Sequence, residues 1–322
     1  MSSYYPPITY IVPPHEDGWL LKTILQKRMD VSRKLLSRLK MTEQGIMLNG
    51  ERVYISVKVS SGDQVDIRME QETSDDIMPQ AIPFDILFED EHLLVVNKAA
   101  GIIVHPTHGH YTDTLANGVV HYWASRGERV RFRPVHRLDQ DTSGVLVIAK
   151  NPYSHQHISE QMIAGTVDKR YAAFVHGVPA VPSGDIDGPI DRDPLEPHRR
   201  IVTPEGYPSL TRYEVKEAYT ASAASLVELK LESGRTHQIR VHMSSIGCPL
   251  IGDGMYRHPL YARGEAAQLA AVAELDAAIP RQALHAVRLS FRHPVTHAGL
   301  VFDAPLPPDM ALLQEKLRSI AD

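Results

Sequence analysis

"HRLDQDTSG" occupies residues 136–144 and runs directly into "VLVIAK" at 145–150. Gly144 to Lys150 is a short apolar run, the length and composition of a buried central strand. The polar residues ahead of it then form a loop that delivers side chains to the start of that strand, where sites are commonly built. On the residues alone Asp139 admits two readings. It is either a turn residue that caps the backbone before a strand or a site carboxylate at the edge of buried surface. In the second reading burial favours the neutral acid, and a guanidinium close by is needed to keep it ionised. Arg137 is next but one in the chain, and a second basic candidate lies in "SGRTHQIRVHMSSIGCPLIGD", 233–253.

The chain around this motif reads as a second and larger unit. It begins after the Pro-bearing linker "DDIMPQAIP". Apolar runs Ile86–Phe88 and Leu93–Val96 flank an acidic turn and suggest paired strands. "TLANGVVHYWAS" and "HISEQMIAG" look helical, the latter closed by Gly165. "KRYAAFVHG", "LTRYEVKEAY" and "ASLVELKLES" look like strands. Strands outnumber helices and do not alternate regularly with them, so the fold class expected is α+β, with a mixed, largely antiparallel sheet flanked by helices.

Upstream, the spacing of Leu20, Leu21, Ile24 and Leu25, then of Leu35, Leu36 and Leu39, predicts two short helices joined near Met29–Val31, with Ser32 capping the second. Asn49-Gly50 is a hairpin turn signal, and Val65, Ile67 and Met69 alternate as in a half-buried strand. This gives a small α/β unit over 1–75 including an N-terminal extension, a linker over 76–82 and the larger domain over 83–322.

Bulk properties narrow the function. The 322 residues exceed one typical domain. No apolar run approaches the roughly 18 residues of a membrane span, and the first residues lack the pattern of a secretory signal, so a cytoplasmic location is expected. Cys248 is the one cysteine, which excludes an internal disulfide and a thiolate zinc cluster. The net charge of −5 argues against a nucleic-acid partner on average. Between Leu20 and Lys40, however, seven basic residues (Lys22, Lys27, Arg28, Arg33, Lys34, Arg38 and Lys40) face one acid, Asp30. That is either a solvated helix face or a footprint for phosphates.

"SRKLLSRLK", "GIMLNGERV" and "VKVSSGDQVDI" in this order resemble the alpha-L RNA-binding domain, a small module also found in a small-subunit ribosomal protein. The resemblance implies RNA contacts from the basic helices, with Arg33, Lys34, Arg38 and Lys40 as the candidates. "HRLDQDTSG", "KRY", "SGRTHQIRVHMSSIGCPLIGD" and "PRQALHAVRLSFRHP", over about 84–310, resemble the RluA/RluD family of pseudouridine synthases. Members detach uracil from the ribose anomeric carbon, rotate the base and rejoin it through carbon five, with no metal or cofactor. The resemblance implies Asp139 as catalytic carboxylate, Tyr171 as the active-site tyrosine and Arg240 as the carboxylate's partner, through possible bidentate bonds. Arg137 is implied to occupy the space of a displaced base. The expected partner is large-subunit ribosomal RNA, with transfer RNA as the other candidate, and a monomer is the default.

The sequence departs from the family pattern in three places. "KAAG", 98–101, lacks a proline, and a looser loop is expected there. Tyr207 stands where a lysine is usual, which removes a phosphate contact. The Ala-rich stretch 261–280 should add a surface helix. Two other classes remain on the residues alone. The 17 histidines, including His105, His108 and His110, admit a metal-dependent hydrolase, and a fold kept without turnover would be a non-catalytic RNA-binding or assembly factor. His136, His237 and His242 are read as hydrogen-bonding groups without chemistry.

Overall fold

A computed structural model describes residues 4–263 and 266–321. The first unit consists of β1 (Ile8–Ile11), α1 (Leu21–Lys27), α2 (Arg33–Met41), β2 (Ile46–Leu48), β3 (Glu51–Arg52) and β4 (Gln64–Ile67). Ser32 caps α2 as the sequence predicts, accepting from the Leu35 N–H at 3.2 Å. Asn49 and Gly50 both take positive φ, 52° and 83°, which is the backbone a two-residue hairpin turn needs. The sheet order is β1-β4-β2-β3.

Two features of this sheet differ from the expectation. "ITYI" forms an antiparallel strand beside β4, a strand the Pro-flanked N-terminal stretch does not announce. That neighbour makes β4 central, so Val65, Asp66 and Ile67 are all buried where a half-buried alternation is expected. Asp66 is accommodated because its carboxylate accepts from Thr9 Oγ1 at 2.5 Å and Gln64 Nε2 at 2.9 Å.

The larger unit continues with β5 (Asp85–Glu89), β6 (Leu93–Lys98), α3 (Leu115–Ser125), β7 (Ser143–Ala149), α4 (Pro152–Ile163), β8 (Asp168–His176), β9 (Ser183–Asp187), β10 (Ile190–Arg192) and β11 (Arg200–Val202). It closes with β12 (Leu210–Tyr219), β13 (Ala224–Leu231), α5 (Gln238–Ser245), α6 (Leu260–Arg263), α7 (Ala266–Asp276), β14 (Leu284–Arg292), β15 (Gly299–Asp303) and α8 (Pro308–Ala321). Its main sheet has the order β5-β6-β7-β14-β8-β13-β12-β9, with β15 on the side of β14. Only the β7–β14 pairing is parallel, so the sheet is mixed and largely antiparallel, an α+β arrangement.

Every residue of β7 is buried, and it lies between β6 and β14. The contact with β14 is very close at Gly144: its φ is +118°, and a Cβ there would sit 2.3 Å from the Ala286 carbonyl oxygen. Gly144→Ala is therefore expected to destabilise the fold by at least about 2 kcal/mol. A melting temperature equal to that of the parent would refute this.

The Ala-rich stretch does form helix, α6 and α7, with residues 264–265 outside those described. It is more than a surface addition. Leu275 and Ile279 pack with Phe174 and with Met310, Leu313 and Leu317 of α8. Asp276 accepts from His176 Nε2 at 2.8 Å and from the Gly252 N–H at 2.7 Å, so the helix braces the loop that follows α5.

The two units share one continuous apolar core that reaches from Leu25 and Leu36 through Tyr153 to Leu146. The turn between α1 and α2 is seated on α4. Tyr153 Oη donates to the Met29 carbonyl at 2.9 Å, Gln156 Nε2 donates to the Asp30 carbonyl at 2.7 Å, and Gln156 Oε1 accepts from the Ser32 N–H at 3.1 Å. Among the described residues, no helix is long and apolar enough to cross a membrane.

Candidate active site

Asp139 lies on the loop before β7, with its side chain about 30% exposed. The loop is fastened at both ends. On one side the buried Lys98 Nζ donates to the carbonyls of Ala99, Ile102 and Gln140 at 2.7–2.9 Å, and the Gly101 N–H donates to the Gln140 carbonyl at 3.0 Å. The "KAAG" turn is thus held by a lysine with three acceptors, and the looser loop expected from its missing proline is not found. Burial pushes Lys98 down to about 7, against the pull of Asp141 and Asp139. On the other side Arg281 Nη1 donates to the Asp141 carbonyl at 2.9 Å, while its Nε and Nη2 hold Asp309 at 2.7 and 3.0 Å.

Arg240 sits on the first turn of α5 and is almost fully buried. Its Nη1 lies 3.6 Å from Asp139 Oδ2, an ion pair longer than a direct hydrogen bond. The bidentate partner expected in Asp139 is instead Asp253: Arg240 Nε and Nη2 donate to Oδ2 and Oδ1 at 2.7 and 2.8 Å. Asp253 is fixed in turn by the N–H groups of Met255 and Tyr256 at 2.9 and 3.0 Å. The Tyr256 ring lies under the guanidinium, 5.0 Å from its carbon. One nitrogen of Arg240 is therefore left to face Asp139, and the others orient it.

Tyr171, on β8 opposite Leu229 and Ala286, is buried. Burial first, and then the charge of Asp139, push its hydroxyl well above the usual phenol range. The same Asp139 charge acts on His237, which burial keeps below the usual imidazole range. Asp139, Tyr171, Arg240 and His237 are thus neighbours, drawn from a loop, β8 and the start of α5.

Arg137 is exposed, and its guanidinium has no hydrogen-bond or ion-pair partner among the described residues. Arg33, Lys34, Arg38 and Lys40 are exposed on α2, away from this centre, and Arg38 is paired with Glu72. Tyr207, in place of a lysine, is exposed and carries the Arg235 guanidinium 5.3 Å over its ring, so a cation is present at that position after all.

The sequence motifs by themselves assign no role to Asp253, Tyr256, Lys98 or Arg281. All four lie within or beside the motifs that mark the site, but which atoms they hold depends on loops distant in the chain. Of the histidines, His242 Nε2 bonds to the Gly188 carbonyl and Nδ1 to Thr211 Oγ1, both at 2.8 Å, the pattern of a neutral ring. His136 Nε2 accepts from the Val147 N–H at 3.4 Å. Among the described residues no three His, Cys, Asp or Glu side chains converge to hold a metal ion.

His285 braces the same strand pair, with Nδ1 2.8 Å from Ser143 Oγ and Nε2 3.2 Å from the Ala304 carbonyl. Burial pushes it down to about 4. The folded state then binds fewer protons than the unfolded chain between about pH 4 and 6.5, so stability is complete above 6.5 and falls as pH drops towards 4, by up to about 1.4 kcal/mol per unit. Urea unfolding at pH 7 and 5 should show this loss, and His285→Gln should reduce it in part, since burial pushes His136 down further still, to about 3. A variant as acid-sensitive as the parent would assign the loss elsewhere.

A mixed sheet with a carboxylate loop ahead of its central strand, and an arginine braced to face that carboxylate, defines an acid-centred enzyme site. The sequence pattern of the RNA pseudouridylate synthase family matches residues 92–245. The chain is 38% identical over 300 residues to the uncharacterized RNA pseudouridine synthase YhcT of Bacillus subtilis, covering 93% of this chain and 94% of that one. It is 38% identical to the ribosomal large subunit pseudouridine synthase D of Zymomonas mobilis, over 93% and 94% of the two chains. Among solved structures, human RNA pseudouridylate synthase domain containing 4 aligns with a TM-score of 0.56 and 26% identity, over 73% of this chain and 93% of that one. The chain belongs to the RluA/RluD family of RNA pseudouridine synthases and is an RNA-modifying isomerase.

Proposed function

We propose that this enzyme converts uridine to pseudouridine in large-subunit ribosomal RNA, with Asp139 as the reacting carboxylate. The observation that supports this reading is the meeting of Asp139 with the braced Arg240 at 3.6 Å beside the buried Tyr171. The relatives named as large-subunit ribosomal enzymes support the choice of RNA. As the bond from uracil N1 to the ribose anomeric carbon breaks, positive character develops on the sugar. An ionised carboxylate there can attack the carbon or remove a neighbouring proton. Uracil then turns, its C5 bonds to the anomeric carbon, and the C5 proton leaves to a base.

Arg240 positions and balances the carboxylate with one nitrogen while Asp253 and Tyr256 hold the rest of its fork. Tyr171 offers a flat wall to an extruded base. Its hydroxyl is held protonated by burial and by the Asp139 charge. Extruding the nucleotide costs a few kcal/mol of unstacking, and we assign Arg137, exposed and without an ion-pair partner among the described residues, to filling the gap it leaves. We assign the enzyme to the cytoplasm, where ribosomal RNA is available, and take it to act as a monomer.

Pseudouridine maps of total RNA from cells with and without the gene test the reading. Loss of signal at uridines of large-subunit ribosomal RNA is expected. Loss confined to transfer RNA would overturn the choice of substrate, and an unchanged map would overturn the whole assignment.

A further inference from the structure

The chain between α3 and the Asp139 loop, "RGERVRFRPVHR" at 126–137, carries five arginines and one glutamate. Val130 and Phe132 are buried while Arg129 and Arg131 between and beside them are exposed, so this extended segment turns its arginines outward. It runs antiparallel along β7: the Ala149 N–H donates to the Arg133 carbonyl, Pro134 pairs with Ile148, and the Val135 N–H donates to the Val147 carbonyl. Its far end leads to Asp139.

Its near end meets the first unit. The Phe132 N–H donates to Ser74 Oγ at 2.8 Å, and Glu72 receives Arg133 from this segment and Arg38 from α2 at once. Tyr5 is buried at this seam, its N–H donating to the Met69 carbonyl at 2.8 Å, and its hydroxyl lies within the fields of Arg38 and Arg129. His155 on α4 lies within the field of Lys34. The basic face of α2 and the arginines of the connector therefore meet at the seam between the two units.

Two of the nearby acids are already engaged, while Asp75 and Asp76 next to Ser74 are exposed with no ion-pair partner among the described residues. Glu72 takes Arg38 and Arg133, and Glu128 takes Arg126 and Lys150. Arg33, Lys34, Arg129, Arg131 and Arg137 are exposed and have no ion-pair partner among the described residues. In a chain of net charge −5, a run of cations without ion-pair partners leading to the site is a surface that an anionic partner would neutralise.

We propose that Arg33, Lys34, Arg129 and Arg131 form one phosphate track across the seam, on which the RNA flanking the modified uridine lies; this rests on the function proposed above. Glu72, by tying Arg38 to Arg133, fixes the two halves of the track in register. Arg131 is eight residues from Asp139, at most about 29 Å along an extended chain. The track thus suits the sugar-phosphate backbone on one side of the extruded nucleotide, and it reads backbone rather than sequence.

The test uses the full chain with Arg129→Gln and Arg131→Gln together, and a protein-free large-subunit ribosomal RNA transcript. Removing two phosphate contacts should reduce the slope of log affinity against log salt by about 1.4–1.8, and weaken binding about 30-fold at 0.1 M salt. KM should rise with kcat nearly unchanged at saturating RNA, the melting temperature should not move, and Arg129→Lys with Arg131→Lys should restore the slope. An unchanged slope and KM, or a slope loss that lysine does not restore, overturns the track. So does a variant that keeps RNA binding but loses binding to anionic lipid vesicles. If the parent itself converts no uridine in any RNA, the proposed function fails; if the parent converts uridine and the variant matches it, only the track fails.

Discussion

Asp139→Asn is expected to cut pseudouridine formation by more than about 10⁴-fold while RNA affinity stays within about twofold. The amide has almost the shape of the carboxylate and fills the same space on the loop before β7, so the fold and the RNA surface are undisturbed. What it lacks is the negative charge that faces Arg240 at 3.6 Å and that would act on the anomeric carbon. Single-turnover assays at saturating enzyme, together with equilibrium binding, separate the two quantities. Retention of a tenth or more of the parent rate by the amide would remove Asp139 from the chemistry and return it to the role of a turn residue. Equal inactivity of parent and variant on every RNA, with binding intact, would favour a non-catalytic RNA-binding factor.

Asp253→Ala should have the largest effect outside the reacting group. It leaves the buried Arg240 without the partner that receives two of its hydrogen bonds, and breaking such a pair costs about 3–5 kcal/mol. The freed fork is then unrestrained by any carboxylate except Asp139. The expected outcome is a lowered melting temperature and, well below that temperature, a kcat reduced by about 10²-fold with KM little changed, since a misplacement near 1 Å costs that much. A variant that melts early but turns over normally when folded would show Asp253 to be structural only. Asp253→Asn, which keeps one acceptor oxygen, should fall between the two.

What the sequence makes legible, and what it hides, follows from the range of the forces involved. α2 is local: its leucine spacing, its Ser32 cap and the Asn49-Gly50 turn beyond it are all encoded within a few residues, and they form where the spacing places them. β7 is legible because a strand covered on both faces leaves an unbroken apolar run. β1 is not, since four residues among prolines become a strand only through pairing with β4, more than fifty positions away. The same holds in the site. Asp139, Tyr171 and Arg240 stand in motifs and could be named, but the partner of Arg240 could not, because it is chosen by how α5 meets the loop that follows it. Geometry assigned the two-toothed bond to Asp253 and the single nitrogen to Asp139. The Ala-rich stretch reads as an external helix by composition, whereas Asp276 at its end ties it to that loop.

The loop bearing Asp139 is anchored by Lys98 before it and Arg281 behind it, through bonds made wholly within the protein. A loop tied in this way is expected to rearrange little on association. On the proposed function, deformation would fall on the nucleic acid, which would open a stack to present the uridine. Discrimination among uridines would then be a matter of RNA mechanics: those in bulges and loops that open at small cost are expected to be modified in preference to those locked in regular helices.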